Sequence, residues 1–350
     1  MIRIALDAMG GDDAPLAMVQ GAIDYARAYA THEVVLVGRE LDLRACLKRE
    51  GASPKNVRIE DAPEVIGMGE KIAALKERPN DSMNRCAQLV KRGAAEAMVL
   101  CGNTGCSVAA AQLHLRRIPG VSRAGILTPL PNPKGHTWVI DMGANSVNKP
   151  EHLVDFALLG ASFLESSYGI ERPRVGVLSI GEEEGKGVEL TAETLVLLRK
   201  TNLNVVGNVE GHHIYRGGLD VVVCDGFTGN VLLKASEGVS EAMMTILKEE
   251  IYASMRTKIG AQIMRPAFDG LRRRIHWSLV GGALLAGVDG VTIIGHGRSN
   301  RIAVFHALKQ AARAVEGHAI QRMRERFKAI TGQVPAITSQ TQAMAADGVA

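Results

Sequence analysis

The stretch Leu219 to Lys234, LDVVVCDGFTGNVLLK, places a neutral amide, Asn230, and a cation, Lys234, just past a glycine-rich break in an apolar run. A helix that starts beyond the carboxyl end of a buried strand aims unpaired N–H groups, and the positive end of its dipole, into the crevice above the sheet. That is a seat for an anion, to which Asn230 adds a donor and Lys234 a charge about one turn further on. The competing reading is an ordinary strand-to-helix turn with Asn230 as its cap. A second lysine, Lys186, stands in GEEEGKG between two glycines, free either to reach a ligand or to face solvent. The loop is not a nucleotide P-loop: the spacing from Gly181 is one residue short, Gly187 replaces the magnesium-binding hydroxyl, and three glutamates repel phosphates.

Other reactive residues point away from familiar chemistries. His136 and Asp141 have the H-x-x-x-x-D spacing, but five residues along a strand put them on opposite faces and about 16 Å apart. Neither a G-x-S-x-G elbow nor a G-x-G-x-x-G fingerprint occurs. Cys106, at a predicted helix start, is either a nucleophile of lowered pKa or a small packed residue. His212, His213 and His296 lack an HExxH-type partner, so no metal site is expected.

The elements that must position these groups repeat one theme. Ile2 to Asp7 alternates as a strand, DAMGGDDAP forms a glycine turn, and residues 16 to 30 have helical spacing. Further strands are predicted at Glu33 to Gly38, Val57 to Glu60, Ala97 to Cys101, Ile126 to Leu130, Trp138 to Asp141, Arg174 to Ile180, Val221 to Val223 and 289 to 295. Helices are predicted at 40 to 50, 82 to 92, 106 to 115, 150 to 167, 188 to 200, 236 to 263 and 301 to 330. Strands alternating with helices imply an α/β fold of three layers, α/β/α, with a largely parallel sheet. Glycine turns after so many strands predict loops that converge on one crevice at the carboxyl edge of the sheet.

Composition narrows the classes. With 46% hydrophobic and 22% charged residues the chain reads as a soluble globular protein, and 4% aromatic content is too little for base-stacking platforms. A net charge of +4 does not imply nucleic acid. The five cysteines lack CxxC spacing, as expected of reduced thiols in a cytoplasm. No signal peptide or membrane span is expected, so any membrane contact would be peripheral. The basic amphipathic region 239–276 stands out: from Ile251 to His276, Arg256, Lys258, Arg265, Arg272, Arg273 and Arg274 face only Asp269. It can be a solvated face, a dock for an acidic partner, or a membrane-surface helix; interleaved Ile263, Met264, Phe268, Leu271, Ile275 and Trp277 favour a contact surface. Residues 1–331 read as a single α/β domain and 332–350 as a flexible tail.

Taken together, ALDAMGGDDAP, GNTG, VIDMGAN, VGVLSIGEEEGKG, DVVVCDGFTGNVLLK, GGALLAGVDG and HGRS resemble the bacterial phosphate acyltransferases, which make acyl phosphate from acyl-acyl carrier protein for phospholipid synthesis. The resemblance runs from Ile2 to about Phe327. Asp13 departs from the usual histidine after MGGD, and Cys106 from a small nonthiol residue after GNTG. The resemblance implies an isocitrate/isopropylmalate dehydrogenase-like fold, similar also to phosphotransacetylase, with a protruding helical region. It implies a homodimer without metal, nucleotide or other cofactor, cytoplasmic and peripherally membrane-associated, feeding the membrane glycerol-3-phosphate acyltransferase. Lys186 and Asn230 match the catalytic lysine and asparagine.

On that reading phosphate and substrate are held by Asp7, Gly10, Gly11, Asn103, Thr104, Gly105, Asp225, Gly229 and His296. The basic residues from Arg256 to Arg274 contact the carrier protein or the membrane, with Arg322, Arg324, Arg326 and Lys328 as an alternative carrier dock. A dehydrogenase on the same scaffold and a noncatalytic membrane scaffold are the other classes open to such a chain.

Overall fold

The apolar runs become strands of one eleven-stranded sheet in the computed structural model, which describes residues 1–51, 54–183, 185–275 and 281–333. The chain begins β1 (Ile2–Asp7), α1 (Leu16–Ala28), β2 (His32–Gly38), α2 (Glu40–Arg49) and β3 (Val57–Asp61). There follow α3 (Ala74–Glu77), α4 (Ser82–Lys91), β4 (Ala97–Leu100), α5 (Thr104–Leu115) and the hairpin of β5 (Gly125–Asn132) and β6 (Gly135–Ile140). Next come α6 (Pro150–Tyr168), β7 (Arg174–Leu178), α7 (Glu189–Leu198), β8 (Asn204–Val209), α8 (Gly211–Arg216) and β9 (Val221–Val223). A long α9 (Gly226–Tyr252) continues into α10 (Met255–Ile263) and α11 (Arg265–Ile275). The chain then returns through β10 (Ala283–Ala286), β11 (Val291–Ile294), α12 (Arg301–Glu316) and α13 (Ala319–Gln333).

The sheet order is β3-β2-β1-β4-β11-β10-β5-β6-β9-β7-β8, and the pairings are parallel except β11–β10, β10–β5 and β5–β6. Those three reversals correct the expectation of a single carboxyl edge. They turn β6, β9, β7 and β8 against β1, β2, β3, β4 and β11, so the loops after β4 and β11 leave in the direction opposite to those after β6 and β9. Side chains alternate between two cores, as period two requires. Leu6, Val99, Leu127 and Val223 pack with α1, α6 and α12, while Ala5, Met98, Ile126 and Val222 pack with α4 and α5 on the other face. The small residues Cys106, Ala110 and Ala111 bring α5 close to the sheet.

Three local readings change. The helix predicted over 301–330 breaks into α12 and α13 at Gly317 and His318, where His318 has φ 52° and a β carbon on Gly317 would stand 2.5 Å from the Ser166 carbonyl oxygen. That close pass lets α13 fold back and bury Met323 and Phe327. The segment 236–263 is likewise interrupted, by Ser254, whose Oγ accepts from the Thr257 amide at 3.2 Å and caps α10. Strand β8, NVVGNV, escaped the sequence reading because its asparagines and glycine hide the apolar period. Outside the sheet, α9 buries as whole residues only Gly226 and Gly229, and Met243, Ile246, Tyr252, Met255, Ile259 and Ile263 stay exposed along α9 and α10. Among the described residues no helix is long and apolar enough to cross a membrane. Residues 334–350, most of the expected tail, lie outside the described residues, as do His276 and Trp277.

The fully buried Phe156 ring lies on bare backbone: a β carbon on Gly125 would stand 2.9 Å from its edge. Phe156→Ala is expected to cost about 3–5 kcal/mol, measured by urea unfolding with an unchanged slope.

Candidate active site

The glycine-rich break after β9 is not a loop. It is the first turn of α9, capped by Asp225, whose carboxylate accepts from the Thr228 amide at 2.9 Å and the Thr228 hydroxyl at 2.6 Å. The Gly226 amide donates to the Asn145 carbonyl and the Gly229 amide to the Asp225 carbonyl, both at 3.0 Å. Three amides of this helix start, those of Gly226, Thr228 and Gly229, are therefore taken by the chain's own acceptors, and Asp225 is a cap. Gly229 is required by contact: a β carbon there would strike the Asp141 carbonyl oxygen. Asn230, one residue on, is no cap. Its side chain is exposed, lies beside Gly143 and makes no hydrogen bond among the described residues.

Asn230 is one wall of a cavity of about 650 Å³. The groove lies between α5, through Thr104, Gly105, Val108, Ala109 and Gln112, and α9, through Asn230, Leu233, Lys234 and Glu237. Its floor is apolar, with Ile126 and Leu130 of β5, Ala283 of β10 and Ile294 of β11. The loop after β6 closes one end with Met142, Gly143 and Ala144, while His296 and Arg298 after β11 stand at the other. The flank of α5 could have been read from sequence, since Thr104, Val108 and Gln112 recur every four residues on one helical face. The floor could not, because β5 and β10 show only as short apolar runs.

A different helix end is open. Asn103 caps α5, its Oδ1 accepting from the Cys106 amide at 3.1 Å, and its Nδ2 donates to the Met68 and Glu70 carbonyls at 2.7 and 2.9 Å. Its amide is thus fully used in pinning the 67–71 loop. The Thr104 and Gly105 amides have no partner among the described residues and border the cavity. Cys106 behind them is buried, and burial raises its thiol pKa, which fits packing rather than nucleophilic attack.

The remaining predicted residues separate into those at the groove and those away from it. Lys234 is at the wall, its Nζ 2.9 Å from Glu237; Arg298 pairs with Glu241 at 3.0 Å. His296 lies 3.9 Å from Glu237, accepts from the Arg298 amide, and is held below its ordinary pKa chiefly by burial. Arg274 of α11 also lines the cavity. Arg256 and Lys258 sit on α10 and Arg265 on α11, all exposed, while the side chains of Arg272 and Arg273 lie outside the described residues. Lys186 is exposed on the loop after β7, outside the cavity wall. Asn208 Nδ2 holds the Glu183 and Lys186 carbonyls at 3.2 and 3.3 Å, and a 2.8 Å His213–Glu182 pair ties the loop to α8.

Asp7 is buried beneath the α5 start. One oxygen accepts from the Met9 amide at 3.1 Å, the other has no hydrogen-bond partner among the described residues and lies against Gly10 and Gly102, and burial pushes the carboxyl up to about 6. It shapes the Gly10–Gly11 turn from below and does not line the groove. Among the described residues no group of three or more His, Cys, Asp or Glu is arranged to hold a metal.

A family model described as fatty acid synthesis protein matches residues 2–322. A phosphate acyltransferase of Pelotomaculum thermopropionicum is 45% identical over 330 residues, covering 94% of this chain and 96% of its own. One from Desulfitobacterium hafniense is 43% identical over 333 residues, covering 95% and 99%. Among solved structures, a Streptococcus pyogenes phosphotransacetylase superposes with a TM-score of 0.60 at 15% identity, over 91% of this chain and 94% of its own. A Klebsiella pneumoniae 4-hydroxythreonine-4-phosphate dehydrogenase gives 0.55 at 15% identity, over 90% and 98%. These likenesses establish the α/β fold with its large, mostly parallel sheet.

Two measurements test the site's supports. Gly229→Ala drives a methyl group into the Asp141 carbonyl and is expected to destabilise by about 3 kcal/mol in urea unfolding. Because burial raises Asp7 above the ordinary carboxylate value, the stability linked to its proton is complete below pH about 4 and is lost as pH rises through about 6. Relative to Asp7→Asn, the native protein is expected to lose about 3 kcal/mol between pH 4 and 7, read from unfolding curves at each pH. Asp155, also pushed up to about 6 by burial, contributes equally to both proteins and cancels.

Proposed function

The chain belongs to the phosphate acyltransferases of fatty acid and phospholipid synthesis, and from that premise we propose that it moves an acyl group from the thioester of an acyl carrier protein to inorganic phosphate. Phosphate oxygen attacks the thioester carbonyl, the carbon–sulfur bond breaks, and acyl phosphate leaves with the carrier thiolate. A simple thiol has a pKa of about 8.5, so this leaving group needs little acid help near neutrality. Phosphate is its own nucleophile, so no enzyme serine or cysteine is required. What the reaction needs is a place for the anion and donors for the charge that develops on the carbonyl oxygen.

The observation that carries the reading is the groove itself. An apolar floor suits an acyl chain, and two kinds of donor border it. The free Thr104 and Gly105 amides at the α5 start seat phosphate, as helix ends do. The unengaged Asn230 amide receives the oxyanion, and Lys186 supplies the charge that offsets two approaching anions, carried on a loop from the strand beside β9. Asn103, Asp7 and Asp225 act on this site through the backbone they fix, and His296 through its place at the groove's end.

The likeness to phosphotransacetylase and dehydrogenase folds supports an isocitrate/isopropylmalate dehydrogenase-like architecture in which residues 1–331 work as one unit. Exposed apolar residues along α9 and α10 support pairing of two copies and contact with a membrane surface. There acyl phosphate would pass to the membrane glycerol-3-phosphate acyltransferase.

Incubating the purified protein with palmitoyl-acyl carrier protein and phosphate, without metal, should release carrier and give hydroxylamine-trappable acyl phosphate in equal amounts. Carrier release without acyl phosphate would mean a thioesterase and sink the proposal. Asn230→Ala and Lys186→Ala are each expected to lower kcat/KM about 100- to 1,000-fold, whereas Cys106→Ala should stay within a few-fold.

A further inference from the structure

The groove has a basic neighbour that the proposed reaction does not use. Directly after α5, Arg116 and Arg117 line a second cavity of about 470 Å³ with Gln112 and Pro119, and Gln112 also lines the substrate groove. The two cavities therefore adjoin at that side chain. Arg116, held at φ 62°, and Arg123 are exposed and make no side-chain hydrogen bond or ion pair among the described residues. Arg117 donates to the Ser122 carbonyl. Arg123, Lys149 and Arg117 all lie within electrostatic range of His152, whose pKa is lowered first by burial and then by these charges. The facing acids are Glu151 and Asp155, and Asp155 is already bonded to the Ser122 amide at 2.8 Å.

The other basic sites are differently placed. Arg322 and Arg326 are both taken up by Glu165, at 3.3 and 2.8 Å, and Arg324 pairs with Asp289. Of the basic quartet on α13, only Lys328 has no ion pair among the described residues. Arg256, Lys258 and Arg265 are exposed on α10 and α11 and line neither cavity, although Arg274 at the end of α11 lines the groove.

We propose that the rim formed by Arg116, Arg117, Arg123 and Lys149 seats the acidic carrier protein, which passes its acylated arm beside Gln112 into the groove. This rests on the acyl-carrier reading above. Unpaired guanidinium groups at the edge of a substrate cavity complement an acidic partner in charge, and such contacts govern encounter more than turnover. The arm's phosphodiester meets Arg116 and Arg117 in the second cavity, and its thioester end lies between α5 and α9.

The test compares palmitoyl-acyl carrier protein with palmitoyl-pantetheine, which lacks the protein, as donors to phosphate. In Arg116→Glu/Arg123→Glu the ratio of kcat/KM values, carrier over pantetheine, is expected to fall about tenfold, with the deficit shrinking at high salt. A ratio within twofold of the native protein's overturns the proposal, as does a tenfold fall in Arg256→Glu/Lys258→Glu with none in the first variant. Polarisation of fluorescently labelled carrier measures docking independently of turnover: about tenfold weaker binding by the first variant supports the dock and equal binding refutes it. Native protein that binds carrier but forms no acyl phosphate would defeat the acyltransferase reading while leaving the dock standing. If charge reversal lowers the melting temperature, Arg116→Ala/Arg123→Ala replaces it with the same criteria.

Discussion

The buried carboxylate of Asp141 holds the site and the fold in one piece. It follows β6 and accepts five N–H bonds of 2.8–3.0 Å, from the amides of Ile126, Gly143, Ala144 and Asn145 and from the Asn145 side chain. Burial pushes its pKa up, and those donors pull the other way. A carboxylate so enclosed is tolerable only while the donors stay in place, so the β5 start, the 143–145 turn and the end of β6 are locked together. Gly226 and Gly229 then pack against the backbone that this carboxylate has arranged, and Asn230 falls beside Gly143. The position of the Asn230 amide on α9 is thus set by an acid that does not line the cavity.

The second constraint is the reversal at the centre of the sheet. In an all-parallel sheet every βα loop would open on one edge and the groove would be a rim between loops. Here β10 runs against β11 and against β5, and β6 runs against β5 in turn. Loops from the two halves approach from opposite directions, and the space left between them lies over the face of β5. That is why one groove has strand side chains as its floor, helices α5 and α9 as its walls, and glycine loops only at its ends. The acyl chain of the proposed substrate needs a long apolar surface, and a cluster of loops could not supply one.

Much of this was legible from pattern. Val221 to Val223 announced a buried strand, and its neighbours are parallel on both sides. The small side chains of Ala109, Ala110 and Ala111 let α5 sit close to the sheet, and Ala110 and Ala111 are buried while Ala109 borders the groove. What the pattern could not distinguish was a glycine turn from a glycine-bearing helix start. Asp225-Gly-Phe-Thr-Gly reads either way locally, and only the approach of Asp141 and Asn145, some eighty residues earlier, makes glycine necessary at 226 and 229. Local pattern likewise carries no sign of what Asn103 and Asp7 touch within the chain. Asn103 spends its donors on the carbonyls of Met68 and Glu70, and Asp7 lies beneath the loop it was expected to open. Strand direction was hidden for the same reason, because period two says which faces are buried and nothing about which way the chain runs.

In the proposed reaction, water competes with phosphate for the same thioester, and the groove as built discriminates between them by charge. Water gains little from a helix end. A phosphate anion gains from the two open amides of α5 and from the dipole behind them, without the deep ground-state well that a fully desolvated lysine would impose. Two of the cations at the wall are tempered in the same sense, Lys234 by Glu237 and Arg298 by Glu241. Neutral donors oriented in advance by a rigid backbone favour the transition state, where negative charge has moved onto the carbonyl oxygen, over the bound substrates. Such an arrangement needs its neutral donors fixed as much as it needs the charge of Lys186, which gives the buried acid beside Gly143 and the packing that encloses it a share in the proposed catalysis.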